Sequence, residues 1–374
     1  MNHEFRKPPL GMATALALAT VLLAGLASGQ LPSAAATITD AVDPSVATAE
    51  MMPRAQHSMI LDLVDGAERA VAVGERGQIL VSESRKDWRQ IENVPTRSTL
   101  TAVTAVGNQL WAVGHDGVIL HSSDGGLAWQ RQRAMPYDPD STDLHNGVPL
   151  LDVLMLDASN GFAIGAYALM LRTSDGGATW TQVAVGGSAD SGDEEIIDDA
   201  EAESDDTWSM SADDTAIEGE SDPHLNAIAR TGDGSLFIVA ERGAAFRSTD
   251  GGTTWQRLSL PYDGSMFGVI GFEARHVLAF GLRGNVFESL DLGDNWSRVE
   301  SGETLSLMGG AGFANGGAVL VGANGIVLTR AQGNDALVQH THPDVAVLSS
   351  VLILTPNGEL MLAGENGLGN WTPN

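Results

Sequence analysis

Short apolar runs, each cut off by glycine or by a polar turn, recur from residue 60 to the end of the chain. Residues 100–133 show the pattern most clearly. "LTAVTAV" alternates apolar with small or polar residues, as a half-buried strand does. "LWAVG" and "VILHSS" are two further apolar runs, and "AWQRQ" ends the group with the polar character of an outer edge. Four short antiparallel strands are predicted. One such sheet cannot bury both of its faces alone, so the unit must pack against copies of itself.

The copies are present. The small residue ending the second apolar run falls at Gly74, Gly114, Gly165, Ala240, Gly281, Gly322 and Gly364. The spacings are 40, 51, 75, 41, 41 and 42, a base period of 41 that suits propeller blades. This predicts an all-β fold, a seven-bladed β-propeller of four-stranded antiparallel blades, over residues 37–374. The seventh unit stops after its third strand. Residues 37–52, "TITDAVDPSVATAEMM", are expected to supply the outer strand of that last blade and close the ring. The two long spacings hold "MPYDPDSTDLHNG" and an acidic insert at 187–222. The insert has 15 acids and no Lys or Arg, too little apolar surface to offset the entropy of ordering, and disorder is expected. Calcium ligation would need a D-x-D-x-D-G…E loop, which is absent.

"SSDGGLAWQ" at 122, "TSDGGATWTQ" at 173 and "STDGGTTWQR" at 248 sit between the third and fourth runs. Asp124, Asp175, Asp250 and Asp291 are expected to fix a turn by accepting bonds from amides two residues on. The glycines allow positive φ. Trp129, Trp180, Trp255 and Trp296 are expected to pack against an adjacent blade. Ser122, Ser174, Ser248 and Ser289 are placed beneath the turn. Unit one has Glu83 at the Asp position, and unit six has Ala331 and Ala336 at the Asp and Trp positions. Acids distributed one per blade cannot converge on one substrate, so the repeat is structural, not catalytic.

Charge and cysteine content narrow the function. The formal charge is −28, from 48 acids against 20 bases. Such a field repels nucleic acid and anionic lipid surfaces. There is no Cys, which excludes disulfides, thiolate chemistry, Cys-ligated metal and a lipoprotein anchor. Residues 1–36 read as a signal peptide: Arg6 and Lys7, the apolar run at 12–27, then an Ala-x-Ala site ending at Ala36. The run is short for a spanning helix. The mature protein is therefore expected to be periplasmic or otherwise exported, monomeric, and not inserted in a membrane.

The S-x-D-x-G-x-x-W phrase resembles the Asp-box, or BNR repeat, of sialidases and related propellers. The longer V-G-x-x-G-x-I-L-x-S-x-D-G-G-x-x-W resembles the photosystem II stability and assembly factor family of seven-bladed propellers, over roughly residues 55–371. Similar proteins of non-photosynthetic bacteria are exported and often encoded near RND-type exporters. The resemblance implies a protein-binding scaffold, or an assembly and stability factor for an envelope membrane complex such as an RND-type transporter. The strong negative charge and the acidic insert depart from that family's pattern.

Loops joining second to third strands share one face with those leading to the next blade. The third position of the Gly-x-x-Gly loops reads Arg76, Asp116, Tyr167, Arg242, Arg283, Asn324 and Asn366. Arginine suits carboxylate recognition. The resemblance makes Arg76, Arg242 and Arg283 candidates for partner binding; pairing with local acids such as Glu75 or Glu241 is the alternative. Tyr137, Tyr167 and Tyr262 are candidate anchors on the same face, with packing of the "PY" loops on the rim as the other reading. His340 and His342 would share a strand face, but no third ligand accompanies them, and neither metal nor cofactor is expected. Sialidases need an R-I-P motif, an Arg triad and a Tyr–Glu pair. "MPRAQ" at 52–56 is not that motif, and no G-x-S-x-G or H-E-x-x-H occurs. A non-enzymatic protein binder is expected. The alternative is a carbohydrate-active enzyme of sialidase-like glycosidase type, or a glycan-binding propeller.

Overall fold

The computed structural model describes residues 43–138, 140–142, 145–185, 222–313, 316–331, 336–355 and 358–373. The expected signal peptide, residues 37–42 of the closing segment and residues 187–221 of the acidic insert lie outside the described residues.

Blade one runs Ile60–Asp65, Ala70–Gly74, Ile79–Ser82 and Arg89–Gln90, antiparallel and in that order across the sheet. Five more four-stranded blades start at Leu100, Leu150, Leu225, Met266 and Leu307. Among the described residues the seventh has three strands, Leu348–Ile353, Leu360–Gly364 and Gly367–Trp371. There is no α-helix among the described residues. The chain is an all-β seven-bladed propeller, as its period predicts.

The second strand decides the packing. In blade one it reads Ala-Val-Ala-Val-Gly and is buried throughout. In the other blades only Gln109, at one strand end, escapes full burial. A strand buried on both faces cannot alternate apolar with polar, hence the continuous apolar runs. Each core cluster is shared by two neighbouring blades. Val71, Val73 and Val81 of blade one meet Leu110, Ala112 and Leu120 of blade two. Leu63 and Leu80 of blade one meet Met361 and Ala363 of blade seven. Each such aliphatic contributes about 1.5–3 kcal/mol on burial, so the ring is held by seven interfaces and no single centre.

The small residue closing each second strand has a distinct cause. A Cβ on Gly74 would lie 2.2 Å from the carbonyl of Met59, just before the first strand. That approach lets Glu75 N–H donate to Met59 O at 3.2 Å. The bond recurs in every blade, from His115 N to Thr99 O at 2.9 Å through to Glu365 N to Val347 O at 2.9 Å. Blade four keeps it beside a methyl group: Glu241 N donates to His224 O at 3.2 Å next to Ala240.

The Asp-Gly-Gly turns have one geometry. Ser122 Oγ donates to Asp124 Oδ1 at 2.8 Å and accepts from Gly126 N at 2.9 Å. Asp124 Oδ1 accepts from Leu127 N and Ala128 N, both at 3.0 Å, so the amides bound lie three and four residues on, not two. In blade three the hydroxyl beneath the turn belongs to Thr173, bonded to Asp175 at 2.9 Å and to Gly177 N at 2.8 Å; Ser174 is exposed. In blade one the Asp position is held by Ser84, which accepts from Asp87 N at 2.9 Å, and not by Glu83, which pairs with Arg69. In blade six Arg330 takes the place of the hydroxyl, with Val277 facing Ser289 in blade five as Ala318 faces Arg330. Leu337, not Ala336, fills the Trp position against blade five. Trp129 and Trp255 are each packed into a cluster shared with the preceding blade, as expected.

Closure differs from the expectation. Residues 43–52 add no strand to blade seven. They run outside blade one, where Ala49 N donates to Val94 O at 2.9 Å and Gln90 Nε2 to Glu50 O at 2.9 Å. A 3₁₀ turn, Ala55–His57, then meets the start of the last strand, with the Gln56 carbonyl over Gly367. The ring is joined instead by side chains between first strands. Ser349 Oγ donates to Ile60 O at 2.7 Å, and Ser350 Oγ to Asp62 Oδ1 at 2.8 Å.

If the turn carboxylates act as local clamps, Asp124→Ala should leave the global fold intact. Exchange of the Leu127 and Ala128 amides should accelerate by about tenfold, since local opening loses two charge-assisted bonds. Hydrogen-exchange mass spectrometry would read this out, and unchanged exchange in that turn would reject the clamp.

Candidate protein-binding face

Two faces follow from the loops. Loops from second to third strands bond to those leading to the next blade: Met135 N donates to Asp116 O at 2.7 Å and His342 N to Gly325 O at 2.7 Å. The Asp turns bond to the opposite set, with Gly125 N donating to Asn108 O at 2.9 Å and Leu292 N to Arg275 O at 2.8 Å. The candidate arginines are therefore on the face away from the Asp turns.

Their backbone is unusual. Arg76, Asp116, Tyr167, Arg242, Arg283 and Asn324 have φ between 53° and 57°. Non-glycine residues there carry steric strain on the order of 1 kcal/mol or more. Arg76, Arg242 and Arg283 are all exposed, whereas Asp116 is half-buried and accepts from Ser98 Oγ. Among the described residues Arg76 and Arg283 have no salt bridge, and Glu241 is paired with His224 at 3.6 Å. The loop of blade seven is one residue shorter, so Asn366 is not an equivalent member: positive φ falls on Gly367.

The tyrosines separate. Tyr137 is 67% exposed and Tyr167 48% exposed, so both are available to a partner. Tyr167 packs edge-on to His224 at 4.9 Å, and His145 bonds to its carbonyl at 3.0 Å. Tyr262, expected to project, instead stacks on Phe287 at 6.3 Å and packs against the core shared by blades four and five. Two glycines, Gly147 and Gly264, lie tight against Tyr137 and Tyr262, so the second "PY" loop follows the rim-packing reading.

Two acids inside the ring were not singled out from the sequence. Asp62 Oδ2 accepts from Val103 N at 2.9 Å, reaching from the first strand of blade one to that of blade two. Asp152 Oδ2 accepts from Ile228 N at 2.8 Å, bridging blades three and four in the same way. The signal was an acid two residues into an otherwise apolar first strand, "ILDLVD" and "LLDVLM". Both are half-buried on the first strands of their blades. Burial pushes Asp62 up to about 6 against its hydrogen bonds. Burial, with the charge of Asp62 adding to it, pushes Asp152 up to about 7. The turn acids go the other way: the Thr254 amide and hydroxyl hold Asp250 well below the usual carboxylate range.

No family model matches the chain, and no curated protein matches it. Solved structures do. The chain is similar to YCF48 bound to a D1 peptide, at 16% identity and TM-score 0.59, covering 89% of this chain and 100% of that one. It is similar to YCF48 from Cyanidioschyzon merolae at 14% identity and TM-score 0.58, covering 86% and 98%. It is also similar to the β-propeller domain of Myceliophteria thermophila Cps50 (Swd1), at 12% identity and TM-score 0.60, covering 88% and 99%. At these identities the likeness concerns the fold.

The two classes of carboxylate predict opposite pH slopes. Raised folded values at Asp62 and Asp152 mean that stability falls as pH rises from the unfolded value near 4 through 6 and 7. The depressed turn acids contribute stability above the unfolded value that is lost as pH falls below it. The melting temperature should peak between about pH 4 and 6. Asp62→Asn with Asp152→Asn should raise it by about 3–6 °C at pH 8 and flatten the alkaline limb. A double variant that follows the wild-type curve in a thermal-shift series would refute the assignment.

Proposed function

We propose that this protein is a non-enzymatic scaffold that binds a segment of another protein on the face carrying Arg76, Arg242 and Arg283. One observation carries the reading. In a chain of charge −28, Arg76 and Arg283 are exposed on strained loops and form no salt bridge among the described residues. An arginine held out in this way suits a carboxylate or backbone carbonyls of a partner. The similar fold of a YCF48 bound to a D1 peptide supports a peptide-binding use of this architecture. Tyr137 and Tyr167 flank the surface as aromatic anchors. Acting after export, the scaffold would assist assembly or stability of an envelope membrane complex, with an RND-type transporter as the first candidate. Its Asp turns serve the blades and not catalysis.

Capture from a solubilised envelope fraction tests the face. Arg76→Glu with Arg283→Glu should reduce recovery of a specific partner by about tenfold, as expected when charge complementarity is reversed. Equal capture by wild type and variant would reject the site, and turnover of a glycoside substrate by the purified protein would reject the non-enzymatic reading.

A further inference from the structure

Among the described residues blade seven lacks more than a fourth strand. In the first six blades the third strand places one large apolar residue opposite the middle of the second strand: Leu80, Leu120, Leu171, Phe246, Phe287 and Leu328. All six are buried. The same register in blade seven, opposite Leu362, gives Gly369. Gly369 is exposed, and a Cβ built on it would meet nothing within 4 Å. It lines an open cavity of about 60 Å³ with Asp344, Val347, Leu362 and Leu368. The outer edge of this strand carries main-chain groups that the other blades pair. Ile79 O, Met170 O and Val286 O accept from Ile91 N, Val183 N and Val299 N at 2.8 to 2.9 Å. Their counterpart in blade seven is the carbonyl of Leu368, which faces Ala363 as Ile79 faces Val73. Among the described residues no fourth strand meets it.

The other blades indicate the chemistry of an occupant. Opposite the six large residues, the fourth strands present Gln90, Arg131, Gln182, Arg257, Arg298 and Gln339. A long stem lies over the apolar residue and a polar head reaches the rim. Blade seven is also where cations run out. Residues 331–374 contain no Lys or Arg, and Asp344, Glu359 and Glu365 surround the edge strand. We propose that the last strand of blade seven is a strand-addition site for an extended, arginine-bearing segment of a partner protein, with the arginine stem seated opposite Gly369 and its guanidinium directed to Asp344. Main-chain bonds to an open edge supply affinity in this mode, and side-chain pockets supply selection. Residues 43–57 reach the edge from the blade-two side, where Arg131 bonds to Ser45 O, and end in the turn over Gly367. Ala55 and Leu368 share one apolar cluster, but among the described residues 43–57 form no main-chain hydrogen bond to 368–371.

The test uses the full chain and a labelled peptide copying residues 252–260, "GTTWQRLSL". Fluorescence anisotropy at low salt should give a dissociation constant on the order of 10–100 μM, and the peptide should slow amide exchange at 368–371. Changing the peptide's Arg257 to Glu, or the protein's Asp344→Lys, should weaken binding by about tenfold. Asn370→Pro, which removes an edge N–H that proline can replace on an edge strand, should do the same with an unchanged melting temperature. The proposal is overturned by no binding at millimolar peptide, or by binding indifferent to all three changes. Protection of 368–371 without peptide also overturns it: if concentration-dependent, a second copy is the occupant, and if not, the chain's own segment is.

Discussion

Burial of each second strand on both faces is the constraint from which the rest of this molecule follows. It forces a continuous apolar run, and so a neighbour on either side of each sheet. The seven shared clusters are the consequence, as Val71 and Leu110 show at one interface and Leu80 and Met361 at another. The amide that leaves the second strand must also find a carbonyl. It finds the one just before its own first strand, which draws two backbones so close that a small residue ends every second strand. In blades one to six the loops that follow are bent left-handed at their third residue, and Arg76, Arg242 and Arg283 are exposed there. The exposure of Arg76 and Arg283 thus traces back to a packing requirement in the core.

The faces of the ring bond differently. On the Asp-turn face the blades are stitched by buried ions. Arg69 reaches from blade one to the carbonyls of Asp124 and Gly125 in blade two, at 3.0 and 2.9 Å. Arg330, standing where a turn hydroxyl would be, pairs with Glu288 of blade five at 2.8 Å and lies over Phe272. Glu288 in turn bonds His276 at 2.7 Å. Where the Ser–Asp pair has been lost from a turn, an ion pair to a neighbouring element takes up cohesion. On the loop face Arg76 and Arg283 are exposed and form no salt bridge among the described residues.

Much of this was legible in the sequence because a repeat reports its fold several times over. The period, the blade count and the role of the Asp turns required no coordinates. Two of the differences are of register. Ser174 and Glu83 sit one residue from the functional positions, held by Thr173 and Ser84, because adjacent hydroxyls and acids look equivalent until strand pairing fixes which faces inward. The Pro-Tyr phrase leaves anchor and rim packing open for Tyr262, and only the position of Phe287, on which it stacks, decides for packing. The path of residues 43–57 was not readable, since nothing in an irregular segment encodes which rim it follows. Asp62 and Asp152 were visible as letters, but their meaning depends on Val103 and Ile228, amides more than forty residues away in the chain.

The join between blades seven and one has a mechanical meaning. Every other neighbouring pair is also tied by the covalent chain, whereas among the described residues this pair is tied by side-chain packing and by the hydroxyls of Ser349 and Ser350. A tensile load applied around the circumference would therefore part the ring at one defined seam, with six seams acting as hinges.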